Sequence, residues 1–326
     1  MVYKETMNDS DSEIHSPAVG MIPSPTDVGA LANRINFCTR DMHTKADAFV
    51  MGKMALAMRH GFIYRQGILA FYYIFHAVEQ QIDRLLETPS TKEELQISAI
   101  LRQFWCEEFR RSGRLLRDLE FFYHHEYPTQ NELQQFLNDF ELPPKLQRFV
   151  DFIRDKTMEN PSTILAYCHV LYNALFAGGK VMRSNIYRNI GLFPKPKGIS
   201  AAESSRNGTN FFTFSDDGVD EENKLRWQYK KNYELATREG LDENQKLEII
   251  DVSIANFQAV MDILGEIGET NKKELMNIFS FKLLTFLSNE WRYNQKLSSE
   301  VKQALAIAVF FINFLMIYFT LRTIFW

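Results

Sequence analysis

The sequence predicts an all-α protein, and three observations carry that prediction. Glycine (15) and proline (10) are sparse among 326 residues, while phenylalanine is abundant at 27. Sparse helix breakers with many aromatic residues favour long buried helices. Apolar residues recur with a period near 3.6 through most of the chain, without a convincing alternating strand. Apolar residues make up 45% of the chain and charged residues 24%, a balance that provides for an ample globular core.

The chain is predicted to begin with a disordered arm, residues 1–28, which is polar and lacks periodicity. A helical domain, residues 29–267, follows. Within it the periodicity predicts helices over residues 31–51, 62–86, 94–123, 131–140, 145–158, 162–189, 223–238 and 242–267. Prolines stand at several expected helix starts. Gly240 and Gly268 stand close to the expected ends of the last two helices.

Three segments depart from that pattern. Residues 194–222 break the periodicity and are predicted to form a surface insertion. Residues 268–303 are predicted to be a spacer that contains an amphipathic helix over 273–291. Residues 304–321 (ALAIAVFFINFLMIYFTL) form an apolar run of 18 residues, which would extend about 27 Å as a helix. That length suits a thinner bilayer, so the run predicts a C-terminal transmembrane anchor rather than the alternative, a buried core helix.

Charge and cysteine content exclude several classes of protein. The net charge of −4 provides no basic field, so we expect no nucleic-acid partner. The three cysteines are widely spaced and form no CxxC pair, which argues against a disulfide framework or a zinc finger. The N-terminus has no apolar signal segment. With the terminal anchor, these features predict a protein on the cytosolic face of a membrane.

Common catalytic motifs are missing, and a histidine on the first predicted helix is the main candidate for chemistry. The sequence has no GxSxG, P-loop, GxGxxG, HExxH or ExxH motif. His43 and Asp47 are four residues apart and share a helix face. A carboxylate at that spacing can fix the imidazole tautomer and leave the other ring nitrogen free to bind a metal. The alternative is that His43 only fills a polar edge of the fold.

A pair of adjacent glycines interrupts a later predicted helix. Gly178 and Gly179 follow Ala174 and Ala177, and two glycines cost roughly 2 kcal/mol in a helix interior. A helix that contains them needs a kink or a close approach of its backbone to something bulky. Ala174 and Gly178 lie on one side, which leaves a bare patch one turn long. Close packing against another helix is the alternative explanation.

Together these motifs resemble the heme oxygenase family. The His-Thr-x-Ala-Asp pattern starts at His43, and the small-x-x-small-Gly-Gly pattern starts at Ala174. The similarity extends to FYYIFHAVEQQIDR, in which Glu79 takes the family's acidic position, to LLRDLEFFY (115–123) and to residues 146–171. It covers residues 29–262, and the C-terminal anchor is similar to that of membrane-bound eukaryotic members.

The resemblance implies a helical bundle that holds heme b between a proximal helix and a kinked distal helix. His43 would be the axial ligand of the heme iron, and Asp47 would orient it. Ala174 would border the heme, while Gly178 and Gly179 would let the distal backbone approach it closely.

The resemblance also assigns the anionic propionates of heme to basic side chains. Arg226 and Lys230, four residues apart, stand at the family's basic pair, although the two could equally form a solvated face. Asn36 aligns with a family lysine before the histidine, and Arg34 is a conceivable substitute for that lysine.

The distal helix departs from the family pattern. Leu175 replaces the aspartate that anchors a proton-relaying water network in the family, and Phe75 replaces a tyrosine near that network. Asn173 and Tyr172 are the nearest polar residues. Asn173 is our candidate for a catalytic role, because it can hydrogen-bond oxygen although it cannot relay protons as a carboxylate does.

By resemblance, the expected function is a membrane-anchored heme oxygenase on the cytosolic face of the endoplasmic reticulum. It would cleave heme to biliverdin with release of iron and CO, using O₂ and electrons from NADPH through NADPH-cytochrome P450 reductase. The loss of the distal aspartate keeps a second function open, a non-degrading heme buffer or sensor, or a weak peroxidase. A third is a membrane-tethered helical adaptor in which His43, Gly178 and Gly179 are only structural.

Overall fold

The computed structural model of the chain is all-α, as predicted. It describes residues 27, 29–45, 60–179, 182–184, 198–279, 281–283 and 285–286, and every regular element within those ranges is helical. The chain divides into two compact units, Met1–Asn271 and Lys272–Trp326.

The first unit contains the helices that form the core. They are α1 (Leu31–Lys45), α2 (Gly61–Glu87), α3 (Lys92–Phe104), α4 (Ser112–Tyr123), α5 (Gln130–Asp139), α6 (Pro144–Glu159), α7 (Ile164–Ala174), α8 (Ala201–Asn207), α9 (Val219–Gly240) and α10 (Glu243–Thr270). Short 3-10 turns lie at Glu107–Phe109, Pro161–Thr163 and Asn210–Phe212, and a π-helical turn at Leu175–Gly179 continues α7.

Local sequence signals set several helix starts. The N-terminal residues of α3, α5 and α10 carry complete capping boxes, in which each cap side chain and the third helical residue bond to each other's backbone N–H. Pro144 is the first residue of α6, and Pro161 opens the 3-10 turn that leads into α7. The prolines therefore stand at starts, as predicted. α9 ends at Gly240 as predicted, whereas α10 continues past Gly268 to Thr270.

The long helix α2 lies at the centre of the core. It packs against α3, α4, α6, α7 and α10. Its side chains Phe75, Val78, Ile82 and Leu85 are fully or almost fully buried, each contributing about 1.5 to 3 kcal/mol by removal from water. α1 packs chiefly against α10 and also contacts α9, while α7 packs against α10. α10 therefore supports both α1 and α7.

The single helix predicted over residues 94–123 is wrong. α3 ends at Phe104, a 3-10 turn follows, and α4 begins only at Ser112. The interruption is organised by Arg111, whose side chain is fully buried. Its guanidinium donates to the carbonyl oxygen of Phe109 at 3.0 Å and to that of Thr213 at 2.7 Å. Because the interruption depends on these contacts, no helix-breaking residue marks it in the sequence.

The surface insertion predicted over residues 194–222 is wrong for residues 204–214, whereas residues 216–220 are exposed as predicted. Phe211, Phe212 and Phe214 are buried in the main core. Asp118 of α4 accepts the backbone N–H groups of Asn210 and Phe211, each at 2.8 Å. The loss of periodicity marks an irregular segment, but its aromatic side chains make it part of the interior.

The second unit is described only near its beginning. It contains α11 (Lys272–Met276) and further helical residues at 279, 281–283 and 285–286, which fall within the predicted amphipathic stretch. In the part of the chain that the structure describes, no helix combines the length and apolar character needed to cross a bilayer. Residues 1–26, most of the predicted arm, and residues 304–321, the predicted anchor, lie outside the described residues.

Candidate functional site

Helix α1 carries the predicted metal ligand in its last turn. The backbone of His43 belongs to α1, but its side chain and the whole of Asp47 lie outside the described residues. Their predicted roles as iron ligand and orienting carboxylate therefore stay predictions. The same helix presents Asn36, seven residues earlier and on the same face, as an exposed residue.

The glycine pair lies in the π-helical turn Leu175–Gly179 that directly follows α7. The predicted interruption of the helix is thus confirmed, and π-helical turns within α-helices occur frequently at functional sites. A Cβ placed on Gly178 would meet no atom of the described residues within 4 Å. Among those residues, space therefore lies directly against the backbone of this turn.

Small side chains surround that open space. Ala174 and Ala177 are exposed, and Gly178 is half-buried. Gly179 faces inward instead, where an added Cβ would lie 3.5 Å from the ring of Phe212. The turn thus has a bare outer side and an inner side packed on the aromatic segment 210–214. The bare side fits a flat ligand that approaches the helix backbone.

Leu175, at the position of the family's distal aspartate, also has apolar surroundings in the structure. Leu175 is buried, and Phe75 is 1% exposed. The Tyr172 ring packs edge-on against Phe75 and Trp105 at centroid distances of 5.4 and 5.3 Å, and stacks on Tyr229 at 5.6 Å. Its hydroxyl is buried and has no hydrogen-bond partner among the described residues. Burial raises the pKa of Tyr172 well above its ordinary value, so this hydroxyl is no acid near neutral pH.

A buried histidine, to which the sequence assigned no role, connects α1 with α7. His169 is 4% exposed. Its Nδ1 accepts the Nδ2 amide of Asn173 at 3.0 Å, and its Nε2 lies 3.3 Å from Oδ1 of Asn36. Burial, with a smaller contribution from the charge of Lys230, lowers the pKa of His169 to about 3. The ring is therefore neutral at physiological pH. Asn173, the candidate catalytic residue, directs its amide nitrogen to this histidine.

The predicted basic residues lie on α9. Arg226 and Lys230 are both half-buried. The charge of Lys230 contributes to the lowered pKa of His169. Arg34, the conceivable substitute for the family's lysine, pairs with Glu243 of α10 at 2.9 Å. Because its guanidinium is paired with α10, the structure gives no support for Arg34 as the substitute for the family's lysine.

Buried polar residues hold the aromatic segment behind the π-turn. Sequence reasoning missed Asp118 and Arg111, and it noted Glu79 only as the family's acidic position. Asp118, fully buried, accepts three hydrogen bonds from Asn210 and Phe211, while burial raises its pKa to about 7. Arg111 lies 4.0 Å from the centroid of the Phe214 ring. Glu79 accepts the backbone N–H of Arg111 at 2.5 Å. The available sequence signal was that these ionisable residues stand between apolar residues. Such residues are rarely buried without partners, so a buried polar contact could have been expected.

A second unpartnered polar group lies on α10. The side chain of Asn256 is fully buried, and both its amide atoms lack hydrogen-bond partners among the described residues. A bound water would satisfy such buried polar atoms. The space beside Gly178 and the half-buried cations Arg226 and Lys230 are compatible with a flat, anionic group such as heme.

The family model for heme oxygenases matches residues 29–266, so the chain belongs to the heme oxygenase family. This confirms the resemblance carried by the sequence motifs. The match covers α1, α7, the π-turn and α9, the elements that contain the described candidate residues.

Individual relatives agree with that assignment. The chain is 58% identical over 275 residues to the heme-binding protein HMX1 of Saccharomyces cerevisiae, covering 84% of this chain and 87% of that protein. It is 25% identical over 223 residues to the heme oxygenase of Rhodella violacea, covering 68% and 79% respectively. Heme oxygenase-1 of Synechocystis sp. PCC6803 in complex with heme is similar in fold, with a TM-score of 0.57 and 21% identity, covering 78% of this chain and 99% of that one.

Proposed function

We propose that the protein binds heme between α1 and the π-turn Leu175–Gly179. The observation that carries this proposal is the space against Gly178 in the π-turn, where an added Cβ would touch no atom of the described residues within 4 Å. A flat tetrapyrrole can lie against the helix backbone there, and a larger side chain at this position would obstruct it. Membership of the heme oxygenase family supports the same ligand.

Four residues have assigned roles in holding the heme. His43 would hold the iron through one imidazole nitrogen, and Asp47 would accept the N–H of the other nitrogen and so fix the tautomer. Arg226 and Lys230, half-buried on α9, attract the anionic propionates. Partly buried cations interact more strongly with a carboxylate than exposed ones because the local dielectric is lower.

We further propose that the protein cleaves heme oxidatively to biliverdin, releasing iron and CO and using O₂ and electrons from NADPH. NADPH-cytochrome P450 reductase is the proposed electron donor. Heme supplies the oxygen-activating chemistry itself when bound. Leu175 and Phe75, which stand where the family has an aspartate and a tyrosine, are buried apolar side chains and would offer no proton to bound oxygen. Asn173 would supply a hydrogen-bonding amide, whose nitrogen also donates to His169 at 3.0 Å.

A non-degrading heme buffer or sensor, or a weak peroxidase, is the second candidate function, and one observation favours it. The distal position held by the family's aspartate is a buried leucine, Leu175, and the neighbouring Tyr172 hydroxyl is enclosed by aromatic rings. Neither group can relay a proton at neutral pH. A relative at 58% identity is also named a heme-binding protein rather than an oxygenase.

Turnover of the full-length protein distinguishes these two functions. The protein in detergent micelles is loaded with hemin and supplied with NADPH and NADPH-cytochrome P450 reductase. The heme Soret band, trapped CO and biliverdin are followed together. One CO and one biliverdin per heme lost support the oxygenase, whereas an unchanged Soret band without CO contradicts it and supports the buffer or sensor. His43→Ala should abolish turnover, and His125→Ala, the same change at an exposed histidine, should not.

We propose that residues 304–321 anchor the protein to the endoplasmic reticulum membrane with the helical domain in the cytosol. The support is the apolar run of 18 residues in the sequence. The full chain should stay in the membrane pellet after alkaline carbonate extraction. Replacing Phe310 and Phe311 by lysines should release it, and pelleting of that variant would contradict the anchor.

A further inference from the structure

The hydrogen bonds of His169 join two elements that the proposed heme site uses. One partner, Asn36, lies on α1 two turns before His43. The other, Asn173, lies in the last turn of α7, immediately before the π-turn that contains Gly178. His169 itself is buried, whereas Asn36 is exposed. These two hydrogen bonds form a bridge, Asn36–His169–Asn173, that extends from the interior of the bundle to the edge of the proposed cleft.

The chemistry of the partners requires a neutral ring with one donor and one acceptor. Asn173 Nδ2 can only donate, so His169 Nδ1 accepts at 3.0 Å. Asn36 Oδ1 can only accept, so Nε2 carries the proton at 3.3 Å. A second proton on Nδ1 would face an amide donor. Both the burial of the ring and the charge of Lys230 oppose that protonation.

The surroundings hold the imidazole in this orientation. Its centroid lies 5.5 Å from that of the Tyr233 ring on α9, and the Tyr233 hydroxyl donates to the carbonyl oxygen of Leu165 at 2.9 Å. His169 is thus placed by α7 and α9 and reaches across to α1. A side chain fixed in this way transmits the position of α7 to α1.

We propose that His169 is a positioning residue that sets the separation between α1 and the π-turn, and hence the width of the heme cleft. This inference rests on the proposed heme site. His169 touches neither the iron nor the reacting face in this proposal. It acts by holding the helix that carries His43 at a fixed distance from Gly178.

Two substitutions separate the hydrogen bonds from the volume of the side chain. His169→Phe preserves a flat, buried ring but removes both hydrogen bonds. His169→Gln preserves one amide donor and one carbonyl acceptor at a similar spacing, and should therefore rescue the bridge. His125→Phe makes the first change at an exposed histidine as a control. Asn36→Ala breaks the bridge at its exposed end, and serves if His169→Phe fails to fold.

The first measurement is made without heme on the full-length protein in detergent. Spin labels are attached to Cys38, which is exposed and free, and to Ala177→Cys in the π-turn, with Cys106 replaced by serine. Pulsed dipolar spectroscopy then gives the distance distribution between α1 and the π-turn. We expect a narrow distribution for the wild type, His169→Gln and His125→Phe, and a broadened one for His169→Phe and Asn36→Ala. An unchanged distribution in His169→Phe would overturn the inference.

The second measurement is the rate at which bound hemin transfers to excess apomyoglobin. Loss of two neutral hydrogen bonds should raise the rate about tenfold in His169→Phe, with His169→Gln and His125→Phe within about twofold of the wild type. Electron paramagnetic resonance of the ferric heme should show a broader spread of iron environments in His169→Phe. Unchanged hemin loss and spectra would overturn the positioning role. Failure of the wild type to bind hemin would contradict the proposed function, while the distance measurement would still decide whether the bridge orders the two helices.

Discussion

Gly178 offers a substitution that should spare the fold and damage the ligand site. An added Cβ would meet no atom of the described residues within 4 Å, and Gly178 is not among the positive-φ residues of the described chain. Gly178→Ala should therefore raise the free energy of unfolding of the apoprotein by about 0.5 to 1 kcal/mol, through better helix propensity. Gly178→Leu should fold as well, since its side chain enters open space.

The same leucine should obstruct heme. Overpacking of a close contact costs about 1 to 3 kcal/mol, which weakens hemin affinity roughly 5- to 150-fold. Gly113, in the first turn of α4, is the matched control because a Cβ there also meets nothing within 4 Å. Gly113→Leu should leave hemin affinity unchanged.

Two assays measure these effects on the full-length protein in detergent. Urea unfolding of the apoprotein, followed by circular dichroism, gives the stability of each variant. Competition with apomyoglobin gives the hemin affinity. If Gly178→Leu is folded and binds hemin as tightly as the wild type, the heme does not lie against this turn and the reasoning is refuted.

Three further predictions concern buried ionisable positions. Asp118→Ala should lower the free energy of unfolding by about 2 to 4 kcal/mol in urea denaturation, because two backbone N–H groups lose their acceptor; a loss below 1 kcal/mol would contradict this. Burial lowers the pKa of His169 to about 3 in the native state. Between pH 6.5, near the ordinary histidine pKa, and pH 3, the unfolded chain therefore binds a proton that the native state does not. The free energy of unfolding should fall by up to about 1.4 kcal/mol per pH unit as pH decreases through that window, and His169→Phe should remove this pH dependence from the urea midpoints. Leu175→Asp should cost about 2 kcal/mol or more at pH 7 because Leu175 is buried, and the cost should shrink at pH 5, where the carboxyl is more readily neutral; a cost that grew on acidification would be inconsistent with burial.

Local patterns were sufficient to predict most helices. The 3.6 period locates the cores of α2, α5, α6, α9 and α10, and prolines and capping residues locate several starts. The adjacent glycines predicted that the helix over residues 162–189 would be disturbed, and the π-turn lies at these glycines. These features depend on the intrinsic preferences of neighbouring residues, which a sequence displays directly.

Features that depend on tertiary partners were not predicted. The break between α3 and α4 arises because Arg111 bonds to carbonyl groups that include that of Thr213, about a hundred residues away. The segment containing Phe211 is interior because Asp118 accepts its backbone N–H. His169 has no identifiable role until α1 and α7 are brought together, since its partner Asn36 is 133 residues distant in sequence.

The central claim, that His43 holds heme iron at the cleft beside Gly178, is tested most directly by hemin titration of the full-length protein and its His43→Ala variant. Absorption and electron paramagnetic resonance spectra report the axial ligand. We predict a histidine-ligated spectrum in the wild type, its loss in His43→Ala, and its return when free imidazole is added to that variant. A His43→Ala variant with the wild-type spectrum would contradict the account.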